Sequence, residues 1–255
     1  MKACAHRGGK TPIPFSVRHT MDSTRFLIVN ADDFGLSEGV NRGIIEAHER
    51  GIVTSASLMV HKPSAISAAA YSREHLRLGL GLHLDLGEWA YDGEAWTPVY
   101  RVVPLDDYSV VTEELERQLS DFRRLVGRDP THLDSHQHAH RYEPVRSAAH
   151  NLARRLNVPL RHFSHGIQYC GRFYGQTARG VPLPEAISVE SLIAILSDLP
   201  PGVTEVGCHP GRVTGDELTY GSERSTEVDV LSHPRVKALV TSLGIELCSF
   251  QEVMR

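Results

Sequence analysis

The chain lacks most of the short signatures that announce a function. Its four cysteines, Cys4, Cys170, Cys208 and Cys248, are scattered and make no CxxC pair. That argues against a disulfide framework and fits reduced thiols in a cytoplasmic protein. No apolar run reaches the length of a membrane helix, and the first residues have no signal-peptide core. There is no GxGxxG or Walker fingerprint, so nucleotide binding has no local support, and no HExxH, which excludes the zincin route. No internal repeat or low-complexity run is present. Neither charge dominates: 27 Lys and Arg face 31 Asp and Glu, for a net charge of -4 and a pI near 6.4. Such a balance exerts no general pull on nucleic acid or an anionic membrane. There are only two tryptophans, Trp89 and Trp96, and both lie in one segment.

What is present suits a globular core, with 41% hydrophobic residues in 255. Residues 1–24 carry no apolar periodicity and read as a loose N-terminal tail, with Met21 as an alternative origin. Residues 25–255 read as a single domain. Phe26 to Val29 is a buried parallel strand, followed by Asn30, Ala31, Asp32 and Asp33. Ser37 caps a helix whose inner face is Val40, Ile44 and Ala47. Further strands are predicted at 53–60, 78–84, 131–134, 160–163, 203–208 and 245–248. Helices are predicted from Pro63 to about Glu74, from a Thr112 cap through Val126, and over 144–156, 188–199 and 228–243. Ser249 to Glu252 has the spacing of a capping box for a short last helix. Strands alternating with helices argue a parallel sheet with helices outside, and an open doubly wound sheet and a (β/α) barrel both fit.

The chemistry-bearing residues collect where strands end. Asp32 and Asp33 end the first strand, His83 and Asp85 the third, and THLDSHQHAH the fourth, while His209 ends the late strand in EVGCHPG. Asp with several His at convergent positions is a ligand set for a divalent metal. Each residue also has a plainer reading. Asp32 could cap the next helix, His83 could be a buried neutral histidine, and His209 could be an ordinary loop residue. Residues 134, 136, 138 and 140 share one face if extended, but they cannot all be ligands. The two aspartates are harder to explain away, since only one can cap and like charges side by side need a cation to hold one of them.

These motifs together resemble the YdjC-like carbohydrate deacetylases. The resemblance runs from about Phe26 to the C-terminus, through LIVNADDFGLSEGVNRGIIEAHERGIVTSASLMV, GLGLHLDL, THLDSHQHAH, EVGCHPG and the Tyr220, Arg224 and Glu227 stretch. It implies a (β/α) barrel-like fold, distorted or incomplete as a TIM-type barrel, and one divalent metal, Mg²⁺ or Zn²⁺. It implies Asp33, His83 and His136 as ligands, Asp32 as general base and His209 as general acid, with Asp134 and His138 in reserve as ligands or supports. Tyr220 and Arg224 are expected near substrate. His61 departs from the pattern, standing where relatives often have Asn, and could touch substrate.

The chemistry suits those roles. Amide hydrolysis needs a nucleophilic water, a polarised carbonyl and a proton for the departing amine. Trp89, Trp96, Tyr91 and Tyr100 lie in the 85–111 segment just after His83, where they could stack on a sugar ring or simply anchor a long loop. Arg172, Tyr174 and Arg179 could supply a second wall. The expected function is deacetylation of an N-acetylglucosamine-type sugar, either a small carbohydrate or a glycolipid, with no nucleic-acid partner and with homodimerisation left open. Two rivals remain, a metal-dependent phosphoesterase and a non-catalytic metal-stabilised sugar-binding protein.

Overall fold

A computed structural model describes residues 23–213 and 220–253. Among these, a parallel sheet of seven strands curls into a half-barrel with helices on its outside. Its order is β6 (Leu133–Ser135), β3 (Gly79–Leu84), β2 (Ser55–Leu58), β1 (Arg25–Phe34), β8 (Gly202–Cys208) and β7 (Ile167–Cys170). The short β9 (Ile245–Leu247) pairs with the first residues of β1. Strand β1 is therefore central, and its residues from Leu27 to Ala31 are fully buried. A strand covered on both faces carries the near-continuous apolar run seen here.

The helices are α1 (Glu38–Glu49), α2 (Ala65–Glu74), α3 (Tyr108–Val126), α4 (Val145–Leu156), α5 (Val189–Ser197), α6 (Ser222–Leu231), α7 (Pro234–Ser242) and α8 (Phe250–Val253). The Ser37 side chain accepts from Val40 N at the start of α1, and Val40, Ile44 and Ala47 are buried as their spacing requires. Gly127 ends α3 at φ 79°, a left-handed conformation natural to glycine. At the C-terminus, Glu252 accepts from Ser249 N, the predicted capping contact.

Several boundaries differ from the sequence reading. Residues 160–163 are not a strand. Leu160 makes one isolated bridge to Leu133, and Phe163 N and Ser164 N both turn back to Leu160 O. Strand β7, which the sequence reading left in an irregular stretch, forms at the opposite edge, beside β8. The cap of α3 is Asp107, which accepts from Ser109 N and Val110 N, while Thr112 sits inside the helix and its hydroxyl donates to Tyr108 O. The predicted 228–243 helix is two helices, because Pro234 has no N–H to continue the first. The 85–111 segment is not a simple loop. It contains an antiparallel hairpin, β4 (Gly87–Tyr91) with β5 (Trp96–Arg101). Residues 136–141 form a tight turn rather than an extended stretch, with Gln137 and His138 at φ 49° and 55°. The predicted tail falls on residues 1–22, outside the described residues, except that Thr24 O already accepts from Gly202 N and so belongs to the sheet. Among the described residues no helix is long and apolar enough to cross a membrane.

Candidate functional site

Adjacent residues of a flat strand point to opposite faces, yet Asp32 and Asp33 both line one cavity of about 930 Å³. The backbone explains this. Asp33 has φ 68°, and the pairing of β1 with β2 shifts register between Ala31 and Phe34. An irregularity of this kind re-aims a side chain at a sheet end. Asp33 Oδ1 then lies 3.3 Å from His83 Nε2 and 3.2 Å from His136 Nδ1. Its other oxygen accepts from Arg224 Nη2 at 2.6 Å. Burial alone would raise the Asp33 carboxyl; Arg224, His136 and His83 outweigh it and hold it well below the usual carboxylate range.

His83 is sandwiched. Its Nδ1 meets Asp134 Oδ1 at 2.9 Å, and its buried Nε2 makes no hydrogen bond. An imidazole oriented by a carboxylate on one nitrogen and open on the other is the usual form of a metal-ligating histidine. Burial opposes charge on His83, but Asp134 and Asp33 dominate and raise its pKa well above normal. His136 is likewise lifted to about 9, with Asp33 and Glu88 overcoming burial. The site thus favours positive charge beside these two rings, as protons or as a cation. The donor set of one carboxylate and two imidazoles fits a divalent ion, and its atoms lie within 4.8 Å of one another.

Asp32 has a different partner. Arg161 grips it with its two terminal nitrogens, Nη1 and Nη2, at 2.6 and 2.7 Å, and Asn30 Nδ2 donates at 2.8 Å. Burial raises its carboxyl and Arg161 lowers it, with a net depression. Arg161 also contacts Asp134 at 2.8 Å and Glu205 at 2.7 Å, so one fully buried cation serves three carboxylates. The sequence reading called for a cation beside the aspartates without identifying one; there are two, Arg161 for Asp32 and Arg224 for Asp33. The available signals were an arginine directly after apolar Leu160 and a glutamate inside the apolar β8.

His209 Nε2 stands 3.8 Å from Asp32 Oδ2. Its backbone N–H donates to Glu227, which also accepts from the Tyr220 hydroxyl. Burial pulls the His209 imidazole down to about 4, against the carboxylates that would raise it. Tyr220 stacks on Tyr174 with ring centroids 4.8 Å apart, and both line the cavity.

Trp89, Tyr91 and Trp96 line the opposite wall, with Arg179 5.8 Å from the Tyr91 ring. Gln137, next to His136, fastens this wall: its amide accepts from Trp89 N at 2.9 Å and donates to Trp89 O at 2.8 Å. Asp85 does not enter the cavity lining. It accepts from Tyr100 at 2.8 Å and pairs with Lys62 at 2.9 Å, anchoring the hairpin to the body. His61 is also outside the lining and bonds Asp121 at 2.8 Å. Arg172 faces Asp198 at 3.5 Å on the surface instead of joining the second wall. Asp134 sits behind His83, and His138 lies apart from Asp33, among His140, His162 and Tyr169.

Comparison with known proteins follows the same boundaries. A carbohydrate deacetylase of Brevibacillus brevis is 34% identical over 261 residues, covering 89% of this chain and 99% of its own. A chitooligosaccharide deacetylase of Serratia marcescens is 33% identical over 257 residues, covering 90% and 99%. The crystal structure of a proposed cellobiose-phosphate cleavage protein from Enterococcus faecalis superposes with a TM-score of 0.74 at 27% identity, covering 91% of this chain and 99% of that one. Residues 26–242 match the family described as YdjC-like protein, and the chain belongs to that family.

Proposed function

We propose that this protein is a metal-dependent carbohydrate N-deacetylase acting on an N-acetylglucosamine-type sugar. The names of its relatives support the reaction class. The observation that carries the metal reading is the buried, unbonded Nε2 of His83 facing Asp33 beside His136. Asp33, His83 and His136 would hold one divalent ion, Mg²⁺ or Zn²⁺. Such an ion polarises an amide carbonyl and makes a water acidic near neutral pH.

The chain's own groups then divide the work. Arg224 holds one oxygen of Asp33, leaving the other towards the imidazoles. Asp32, kept ionised by Arg161, takes the proton of the attacking water at Oδ2. His209 Nε2, 3.8 Å away, hands a proton to the departing amine. With a pKa near 4 it is neutral beforehand, so the proton it gives is the one that Asp32 Oδ2 took from the water, and the water's second proton passes from the acetic acid to the freed amine. Water adds to the amide carbon, the carbon–nitrogen bond breaks, and acetate and a protonated amine leave. The aromatic faces of Trp89 and Trp96 hold the sugar ring, and Tyr174 and Tyr220 close the other side.

The test is acetate release from N-acetylglucosamine, its β-linked oligomers and N-acetylglucosaminyl lipids. Metal-stripped protein is supplied in turn with Mg²⁺, Zn²⁺, Mn²⁺ or Co²⁺. Acetate is expected with at least one pair, and Asp32→Asn should cut turnover by roughly 10²–10⁴ while metal content holds. Phosphate release from phosphate esters without acetate would instead favour a phosphoesterase. Sugar binding with no turnover would leave the non-catalytic rival.

A further inference from the structure

A second histidine group lies away from Asp33. His138, His140 and His162 present donor atoms within 4.8 Å of one another. Their ring centroids are 5.1, 5.7 and 6.1 Å apart, at interplanar angles of 74°, 31° and 75°. Three imidazoles on one tetrahedral ion, each with its nitrogen at about 2.1 Å, place their centroids about 5 Å apart. Two of the three also stand on uncommon backbone, with His138 at φ 55° and His162 at φ 69°. Residues other than glycine rarely hold such angles, and those that do cluster at functional sites.

The hydrogen bonds leave suitable donors. His138 turns Nε2 to the Tyr169 hydroxyl at 3.4 Å, while its Nδ1 is buried and has no hydrogen-bond partner. His140 Nδ1 is taken by Ser135 Oγ at 2.6 Å. Its Nε2 has only the Arg161 carbonyl at 3.2 Å to give up. His138 thus has one nitrogen near an oxygen and one unpaired, as in histidine ligands generally, whereas the His140 Nε2 proton that the Arg161 carbonyl accepts must move to Nδ1, towards Ser135 Oγ, before Nε2 can ligate. Arg161 and, at His162, Arg141 weigh against positive charge beside these rings and Asp32 and Asp134 offset this only in part, so an ion here depends on its imidazole donors.

We propose that His138, His140 and His162 form a second metal site, distinct from the Asp33, His83 and His136 group, that takes a transition ion such as Zn²⁺, Co²⁺ or Ni²⁺. A site of imidazoles without a carboxylate selects these ions over Mg²⁺, which prefers oxygen donors and keeps its waters. His138 and His162 line the same cavity as the first site, so an ion here would stand beside bound substrate.

Metal analysis after equilibrium dialysis of the untagged, metal-stripped full chain tests the proposal. Wild type should hold two Zn²⁺ or Co²⁺ per chain but no more than one Mg²⁺. His162→Asn should lose one Zn²⁺; asparagine tolerates positive φ and this position is exposed, so the fold is not at risk. Asp33→Asn with His136→Gln should remove the first ion and keep the His162-dependent one. Should the first site bind no metal, wild type would hold one ion that only His162→Asn removes, which separates the two readings. A His162→Asn protein with the same Zn²⁺ content as wild type overturns the proposal.

Discussion

Each of the two adjacent aspartates is neutralised by its own arginine, and the consequences differ. Arg161 is completely buried among Asp32, Asp134 and Glu205. Arg161→Met would leave buried carboxylates without a countercharge and should destabilise the protein by about 3–5 kcal/mol, measured by urea unfolding. Asp33→Asn removes a proposed ligand, so it should lower metal affinity, whereas Asp32→Asn should not. The two imidazoles beside Asp33 set the pH dependence of that affinity. His83 is raised well above its normal value and His136 to about 9, so metal-stripped protein carries protons on both rings at neutral pH. A metal must displace them, and acid favours the protons. Affinity should therefore rise with pH between 6 and 8, by up to about 100-fold per unit, as read by chelator competition. A flat profile would mean that these rings are not the ligands.

The β4–β5 hairpin adds an aromatic wall to the cavity that Asp33, His83 and His136 line. It is held at two points: Gln137 clamps the backbone of Trp89, and Asp85 joins Lys62 and Tyr100 at the hairpin base. Gln137 follows His136 directly, so the ligand turn and the aromatic wall move as one piece. Gln137→Ala removes two neutral hydrogen bonds, together worth about 1–2 kcal/mol. It should raise KM by roughly 5–30-fold with a smaller change in kcat, because the wall loosens while Asp32 and His209 stay in place. Equal losses in kcat and metal content would show that Gln137 supports His136 instead. Helix α1 sets the other side of the site: a Cβ on Gly43 would come 2.3 Å from Gly211 Cα, so only glycine lets the helix meet the loop after His209.

At the scale of the whole molecule, several histidines are buried in neutral form, and acid should act through them. His132 is the clearest. It stacks on Phe250 at 3.8 Å and lies against Gly81, where a Cβ would meet its ring at 2.4 Å. Burial depresses its pKa from 6.5 to about 4. Between these values the unfolded chain binds the proton and the folded one does not. Stability from this residue is therefore intact above pH 6.5 and falls as pH drops towards 4, by about 3 kcal/mol. Urea midpoints measured from pH 7 to 4.5 should fall, and His132→Gln should flatten that fall.

The amino-acid sequence alone determined the alternation of strands and helices, the Ser37 and Ser249 caps and the inner face of α1, because these depend on neighbours within a turn or two. It also marked Asp32, Asp33, His83, His136 and His209 by their position after apolar runs, which is where a parallel sheet opens its cavity. The hairpin was not legible, since partly buried β4 and exposed, proline-bearing β5 show little alternation. Nor was the assignment of arginines: Arg161 meets Asp32 across 129 positions and Arg224 meets Asp33 across 191. Only the folded sheet could bring such distant charges together, turn Asp33 through a positive φ into the cavity of Asp32, and fold residues 136–141 so that His136 joins Asp33 while His138 faces His140 and His162.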